Sequence, residues 1–302
     1  MNLNQLKLFY MAVKRGSLSA AAEALNITQP AVTKGIKRIE EHYEVGLIRG
    51  FGKKPELTEA GVALYGFAEK IFELEKLAEN CLNDYQQEKR RHLHIHSSES
   101  FGAYYLPAII KRFNETYPQV QVTVDILPNQ QVVGNTLDLQ NDVGFISNCV
   151  NNKKLVVKEI LDDELVIIIP IDHPFQSKDS LTPEELEGQT MIMHERGSVI
   201  HEVIHRFMQE NGISFSMPIT LSNNEAIKRA VEEGMGIAMI SRGVVNKEIQ
   251  ANKLAAIPLA DQSIGRKFYI IYHRDKFISG PLQRLVDMIQ EWASELEGGM
   301  VP

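Results

Sequence analysis

The chain has 302 residues, 44% hydrophobic and 24% charged, an ordinary globular balance with room for two or three domains. No apolar run approaches the roughly 18 residues of a membrane-spanning helix, the N-terminal stretch lacks the layout of a secretory signal, and two cysteines, Cys81 and Cys149, make no disulfide framework, so a cytoplasmic protein without a membrane partner is expected. The net charge of −7 argues against a nucleic-acid binder until its distribution is considered: residues 1–57 hold nine Lys/Arg against five Asp/Glu, so a basic head of +4 precedes an acidic body of −11.

Leu3, Leu6, Phe9, Ala12 and Val13 recur at helical spacing, and Gly16 can stop that helix. Ser17 is an N-cap candidate for LSAAAEAL, whose small Ala20, Ala21 and Ala24 let another helix come close. A third helix opens at Thr28-Gln29-Pro30, with Thr28 as N-cap and Pro30 in the first turn. Val32, Ile36 and Ile39 form its inner stripe, which leaves Gln29, Thr33, Lys34, Lys37 and Arg38 on the other faces. Two short helices at a tight turn, the second carrying amide, hydroxyl and cationic side chains, fit the major groove. A generic three-helix unit with a solvated basic face fits the charge pattern equally well.

The string Phe9…Gly16-Ser17-Leu18…Ala21-Ala22…Leu25…Thr28-Gln29-Pro30-Ala31-Val32-Thr33…Ile36…Ile39-Glu40…Leu57-Thr58…Ala60-Gly61 resembles the winged helix-turn-helix of LysR-type transcriptional regulators over about sixty residues. The resemblance implies that Gln29, Pro30, Thr33 and Lys34 face the groove and that the basic loop Arg49 to Lys54, with Lys53, is the wing. Two positions depart from the family pattern. Gly35 stands where the family usually has Gln, which points to flexibility or a close approach of DNA. The usual Leu-Phe-x-Arg reads Leu47-Ile48-Arg49-Gly50, which displaces the arginine by one residue.

From Ala60 the apolar positions Leu64, Phe67, Ile71, Leu74, Ala78, Cys81 and Tyr85 follow in alternating steps of four and three. That is a coiled-coil seam, expected to pair two copies so that two heads read a two-fold-symmetric operator, with a helix packed on its own domain as the alternative. The polar run 86–91 reads as a hinge. Beyond it, LHIHS, VQVTVDIL, DVGFIS, LVIIIP, TMIMHE, GIAMIS and KFYIIYH alternate with helical segments around 104–117, 199–211, 224–233 and 280–297, which is α/β patterning.

The landmarks Leu106-Pro107, Phe113…Tyr117-Pro118-Gln119-Val120, Asp142-Val143-Gly144-Phe145-Ile146 and Val231 to Ile237 resemble, in order and spacing, the LysR-type effector-binding domain. That resemblance implies a two-lobed fold like periplasmic binding proteins. The expected organisation is α/β with a helical head: a winged helix-turn-helix at 1–57, a dimerisation helix and hinge at 58–90, and an effector domain at 91–302. Its first lobe is 91–163 with 266–302, and its second is 164–265. Ligands in such folds lie beyond strand ends, where helix N-termini favour anions. Ser98 and Ser100 align with hydroxyl positions that contact effectors in the family. Ser147 and Asn148 follow a first-lobe strand, and His194, Gly197 and Ser198 precede a second-lobe helix. The implied partners are operator DNA, a small-molecule effector such as a small anion or carboxylate, further copies of the chain as dimer or tetramer, and RNA polymerase.

An enzyme reading competes. HEVIH at 201–205 matches the H-E-x-x-H zinc signature, with His201 and His205 on one helix face and Glu202 as base. Glu225 lies twenty residues past His205, resembling the third-ligand position of thermolysin-like proteases, but Lys228-Arg229 replaces that family's Ser-Asp. Gly234-Met235-Gly236 lacks the third glycine of a dinucleotide fingerprint, and no spacing favours a nucleophilic triad. A regulator without catalytic residues, cofactor or metal is preferred. In HLHIHSSES at 92–100 the three histidines share one strand face, but no Cys or carboxylate cluster stands beside them in sequence, so they read as strand residues. His96 is expected to come close to the cleft, narrow it and make binding pH-sensitive.

Overall fold

In a computed structural model the described residues are 1–50, 55–90, 92–260 and 264–297, without the side chains of 50, 77, 80, 81, 83–90 and 297. The chain divides into two compact units, 1–83 and 84–302.

In the first unit α1 (Leu3–Lys14), α2 (Leu18–Ala24) and α3 (Gln29–Tyr43) precede a ribbon of β1 (Ile48–Gly50) and β2 (Glu56–Leu57), and then the long α4 (Glu59–Arg90). Leu6, Phe9, Ala21, Val32 and Ile36 are buried together with Ala68 and Phe72 of α4, so the start of α4 completes the core of the helical unit. Gly16, at φ +71°, ends α1 in a conformation that a side chain would strain, and Ser17 caps α2 by accepting from the Ala20 N–H at 3.0 Å. Thr28 precedes α3 but makes no side-chain cap bond. Glu40 anchors the ribbon, accepting from the N–H groups of Leu47 and Ile48 at 2.8 and 3.2 Å.

Gly35 is buried and faces α1: a Cβ there would lie 2.1 Å from Leu8 Cδ1. The absence of a side chain serves helix packing, which corrects the expectation of DNA approach or flexibility. Gly61 has a stricter reason. A Cβ there would lie 2.2 Å from the backbone oxygen of Leu47, which cannot rotate away. Gly61→Ala is therefore expected to destabilise the head by about 1–3 kcal/mol, the usual range for overpacking, measured by thermal unfolding against the parent chain.

The second unit contains β3 (His92–Ser97), α5 (Glu99–Tyr104), α6 (Leu106–Thr116), β4 (Gln121–Ile126), α7 (Asn129–Leu137), β5 (Val143–Ile146), β6 (Leu155–Pro170), β7 (Thr190–His194), α8 (Val199–Asn211), β8 (Ser216–Leu221), α9 (Asn224–Glu232), β9 (Ala238–Ser241), α10 (Arg242–Gln250), β10 (Leu254–Ile257), β11 (Gly265–His273) and α11 (Gly280–Glu297). One lobe is built on the order β4-β3-β5-β11-β6, with β3 parallel to both β4 and β5 and β11 antiparallel to β5 and β6. Strand β6 then leaves that lobe. Its second half pairs with β9 and β10 to start the other lobe, where β7 and β8 form a parallel pair. The change of partners falls where Asp163 opposes Arg266 and where Leu165 N–H donates to Ile264 O.

Residues 165–169 are buried on both strand faces: Leu165, Ile167 and Ile169 enter one core, Val166 and Ile168 another. That explains a continuous apolar run in place of alternation. The first half of β6 carries Lys158, Glu159, Asp162 and Glu164, a charged surface that conceals a strand in the sequence. The first lobe packs Phe101, Phe113, Phe145, Phe268 and Trp292 into one aromatic core.

Candidate effector cleft and DNA-contacting helix

In the first unit Gln29, Pro30, Thr33, Lys34, Lys37, Arg38 and Glu41 line one shallow groove along α3. All are exposed except the half-buried Thr33. Gln29 donates its side-chain N–H to Thr33 Oγ1 at 3.2 Å, so its amide is held at the start of the helix. Glu41 shares this groove and was missed by reading for cations and amides alone. Ser17 lies half-buried as the α2 cap, and Arg49 is exposed on β1, while Lys53 and Lys54 lie outside the described residues.

The apolar stripe of α4 divides its work. Leu64 and Ile71 pack against the head core, so they do not stand free for a partner as expected. Phe67, Leu74 and Leu82 remain 65%, 65% and 70% exposed, and Ala78 is exposed on the same helix. The side chains of Cys81 and Tyr85 lie outside the described residues.

In the second unit a cavity of about 640 Å³ opens between the lobes, a size typical of small-molecule sites. Ser98, Ser100 and Ser147 reach it from one lobe, and His194, Gly197 and Ser198 from the other. Asn148 does not line it; its side chain accepts from Asn129 Nδ2 at 3.1 Å, and the same nitrogen donates to Ser147 Oγ at 2.9 Å. His96 does not line it either. It is buried on the sheet face that looks toward Asn135 of α7, because alternation turns it away from the side occupied by Ile95 and Ser97. It therefore does not narrow the cavity, contrary to expectation; burial, then His94, lowers its pKa.

The cavity also holds Glu99, whose charge was expected to oppose a carboxylate if it faced the cleft, and Arg266, Arg196, Glu195, Asn129, Asn223 and Asn224, which motif reading missed. Arg266 donates from Nε to Asp163 Oδ2 at 2.8 Å and from Nη2 to Ser100 Oγ at 2.7 Å. Asp163 also accepts from the Ser241 hydroxyl. Ser241 therefore secures the Asp163–Arg266 pair and is absent from the cavity wall. Glu99 accepts from the Asn224 N–H at 3.0 Å across the cleft. Burial pushes the Glu99 carboxyl up from its ordinary range, against the lowering effect of that hydrogen bond. Ser98 Oγ is buried and has no hydrogen-bond partner among the described residues. Gly197, at φ +85°, makes the turn into α8, and Ser198 caps it by accepting from the His201 N–H at 3.2 Å.

His194 is enclosed and bonds through Nε2 to Met239 O at 3.2 Å; burial, then Arg266, lowers its pKa from 6.5 to about 4. The folded state keeps it neutral down to that pH, whereas in the unfolded chain it protonates near its ordinary value. The unfolded state binds more protons between the two, so stability falls as the pH drops through that window, by about 3 kcal/mol in full. His194→Gln is expected to flatten this part of the stability–pH curve, measured by urea unfolding between pH 7 and pH 4.

The zinc-protease arrangement does not assemble. The His201 and His205 rings are 4.4 Å apart on α8, but Glu225 is exposed and tied to Lys228 and Arg229 at 3.0 and 3.1 Å. Among the described residues, the three-member group with metal-ligand spacing is instead His94, His96 and Asp125.

Residues 3–62 match the family model "Bacterial regulatory helix-turn-helix protein, lysR family", and residues 86–294 match "LysR substrate binding domain". The chain belongs to the LysR family of transcriptional regulators. It is a DNA-binding transcription regulator with an effector-binding domain. The uncharacterized HTH-type transcriptional regulator YeiE of Escherichia coli K12 is 31% identical over 289 residues, covering 94% of this chain and 96% of YeiE. The solved regulatory domain of Synechocystis PCC6803 CcmR, in complex with 2-PG, aligns with TM-score 0.63 at 23% identity, covering 68% of this chain and 98% of that one. Full-length CbnR in a complex with its target DNA aligns with TM-score 0.57 at 18% identity, covering 97% and 100%. Both solved structures share the fold of this LysR-family chain, and no described helix is long and apolar enough to cross a membrane.

Proposed function

We propose that this regulator pairs through the exposed side of α4 and sets two α3 helices on a two-fold-symmetric operator, where Gln29 reads a base edge and Lys34, Lys37 and Arg38 hold phosphates. A small anion, such as a carboxylate, binds between the lobes and changes the placement of the heads. The chain acts in the cytoplasm as a dimer or tetramer, recruits or blocks RNA polymerase, and catalyses no reaction. The exposed Phe67, Leu74 and Leu82 support the pairing, and the DNA-bound CbnR and 2-PG-bound CcmR support the two ligand classes.

The observation that carries the effector class is the Ser98 hydroxyl, without a partner among the described residues, in a cleft that also holds Arg266 and is faced by the N-terminus of α8. A buried hydroxyl without a partner costs on the order of 1–3 kcal/mol, which a ligand can recover by accepting from it. In a thermal-shift screen of small carboxylates and phosphates, at least one compound is expected to raise the melting temperature. Ser98→Ala is expected to abolish that shift while leaving the unliganded melting point at or above that of the parent, since the cost of the buried hydroxyl is removed. A flat response across a broad panel of anions would remove the anion assignment.

A further inference from the structure

Strands β3 and β4 run parallel with His94 opposite Thr123 and His96 opposite Asp125. Alternation puts both imidazoles and the carboxylate on one sheet face. His94 Nε2 lies 2.6 Å and His96 Nε2 3.6 Å from Asp125 Oδ2, and the three ligand atoms fall within 4.8 Å of one another. A tetrahedral zinc ion with bonds of about 2.0–2.2 Å spaces its ligands about 3.3 Å apart. Opening the His94–Asp125 contact and drawing the imidazoles together would meet that spacing with small side-chain rotations. The group is buried at His96 and partly exposed at His94 and Asp125, so one ligand is fixed and the ion has a path from solvent.

One neighbouring amide can serve the same species. Asn135 Nδ2 of α7 lies 3.2 Å from His96 Nδ1, and an amide flip exchanges that nitrogen for the side-chain oxygen. With its amide oxygen turned to accept the Nδ1–H, the lone pair of Nε2 is directed at the centre of the group, the arrangement by which second-shell partners orient a metal-bound histidine. Without an ion, the histidine–aspartate contact at this partly exposed position contributes little to stability.

We propose that His94, His96 and Asp125 bind one borderline divalent ion of the zinc, cobalt or nickel class on the outer face of the first lobe, with water in the remaining position. Two imidazoles and one carboxylate form a donor set that suits these ions and disfavours calcium or magnesium, which prefer oxygen throughout. This site is separate from the cleft, and its neighbour α7 begins at Asn129, which bonds Ser147 at the cavity.

The test uses the untagged full chain, stripped with a chelator and titrated with zinc chloride by calorimetry and with cobalt chloride by visible absorption. The parent is expected to bind tightly with a defined stoichiometry. That stoichiometry is expected to fall by one in His94→Gln and in Asp125→Asn, each checked for unchanged circular dichroism. Asn135→Leu is expected to weaken binding by roughly 10–100-fold, the usual cost of losing an outer partner. His201→Ala is expected to have no effect on this ion. Absence of tight binding in the parent would overturn the proposal. So would an unchanged stoichiometry in either first-named variant, or loss of the ion on His201→Ala, which would assign it to the α8 histidine pair.

Discussion

Arg266→Ala is expected to lower the unfolding free energy of the effector domain by about 3–5 kcal/mol, the range found when one member of a buried ion pair is removed. Asp163 is 1% and Arg266 7% exposed at the side chain, so the substitution leaves a carboxylate in the protein interior with the Ser241 hydroxyl as its remaining partner. Arg266 also donates to Ser100 and lies 5.1 Å from the centroid of the Phe268 ring, so packing is lost with the charge. Asp163→Asn/Arg266→Met removes both charges at similar volume, keeps an acceptor for Ser241, and is expected to regain most of the stability, because the desolvation cost disappears with the pair. The double variant is still expected to lose its response to an anion, since the cation beside Ser100 is gone. Urea unfolding followed by intrinsic fluorescence measures the first effect and ligand-induced thermal shift the second. A loss below about 1 kcal/mol in the single variant would mean that the pair behaves like a surface pair.

The second large effect is on DNA. Gln29 at the first position of α3 can bond an adenine edge in bidentate fashion, a contact worth about 1–3 kcal/mol of discrimination. Gln29→Ala in both heads of a dimer is expected to weaken operator binding by roughly twice that, to the extent that half-sites add, with little change on non-operator DNA. Lys34→Ala should act differently: binding weakens on all sequences, and the slope of affinity against salt falls by about one per head. Glu41 in the same groove has the opposite sign, and Glu41→Gln is expected to raise affinity without regard to sequence. Fluorescence anisotropy at several salt concentrations separates these outcomes.

The helical head was legible because its signals are local. Caps, the inner stripe Val32, Ile36 and Ile39, and Pro30 in the first turn all act within a few residues of one another. The role of Gly35 was not legible, since the atom it makes room for belongs to Leu8 on another helix. The double use of α4 was hidden for a similar reason: a regular four-three stripe does not say which apolar residues the head itself covers. In the effector domain the serines ahead of α5 and α8 were readable from strand–helix junctions. Arg266 falls at the expected boundary between the lobes, but its contacts with Asp163 and Ser100 come from residues 103 and 166 positions away. Strand β8 contains Pro218 and a largely exposed face, which obscured it. The histidine strand changed most in meaning, because the carboxylate absent beside it in sequence arrives through the parallel register of β4.

The most direct test of the account is genome-wide footprinting with the purified full chain, repeated with a compound that raises its melting temperature. The account predicts protected sites with two-fold-related half-sites about one helical turn, or a multiple of it, apart. It predicts that Gln29→Ala abolishes this protection and that the compound alters its extent in the parent but not in Ser98→Ala. Protection of no particular sequence, or a pattern indifferent to both substitutions, would contradict it.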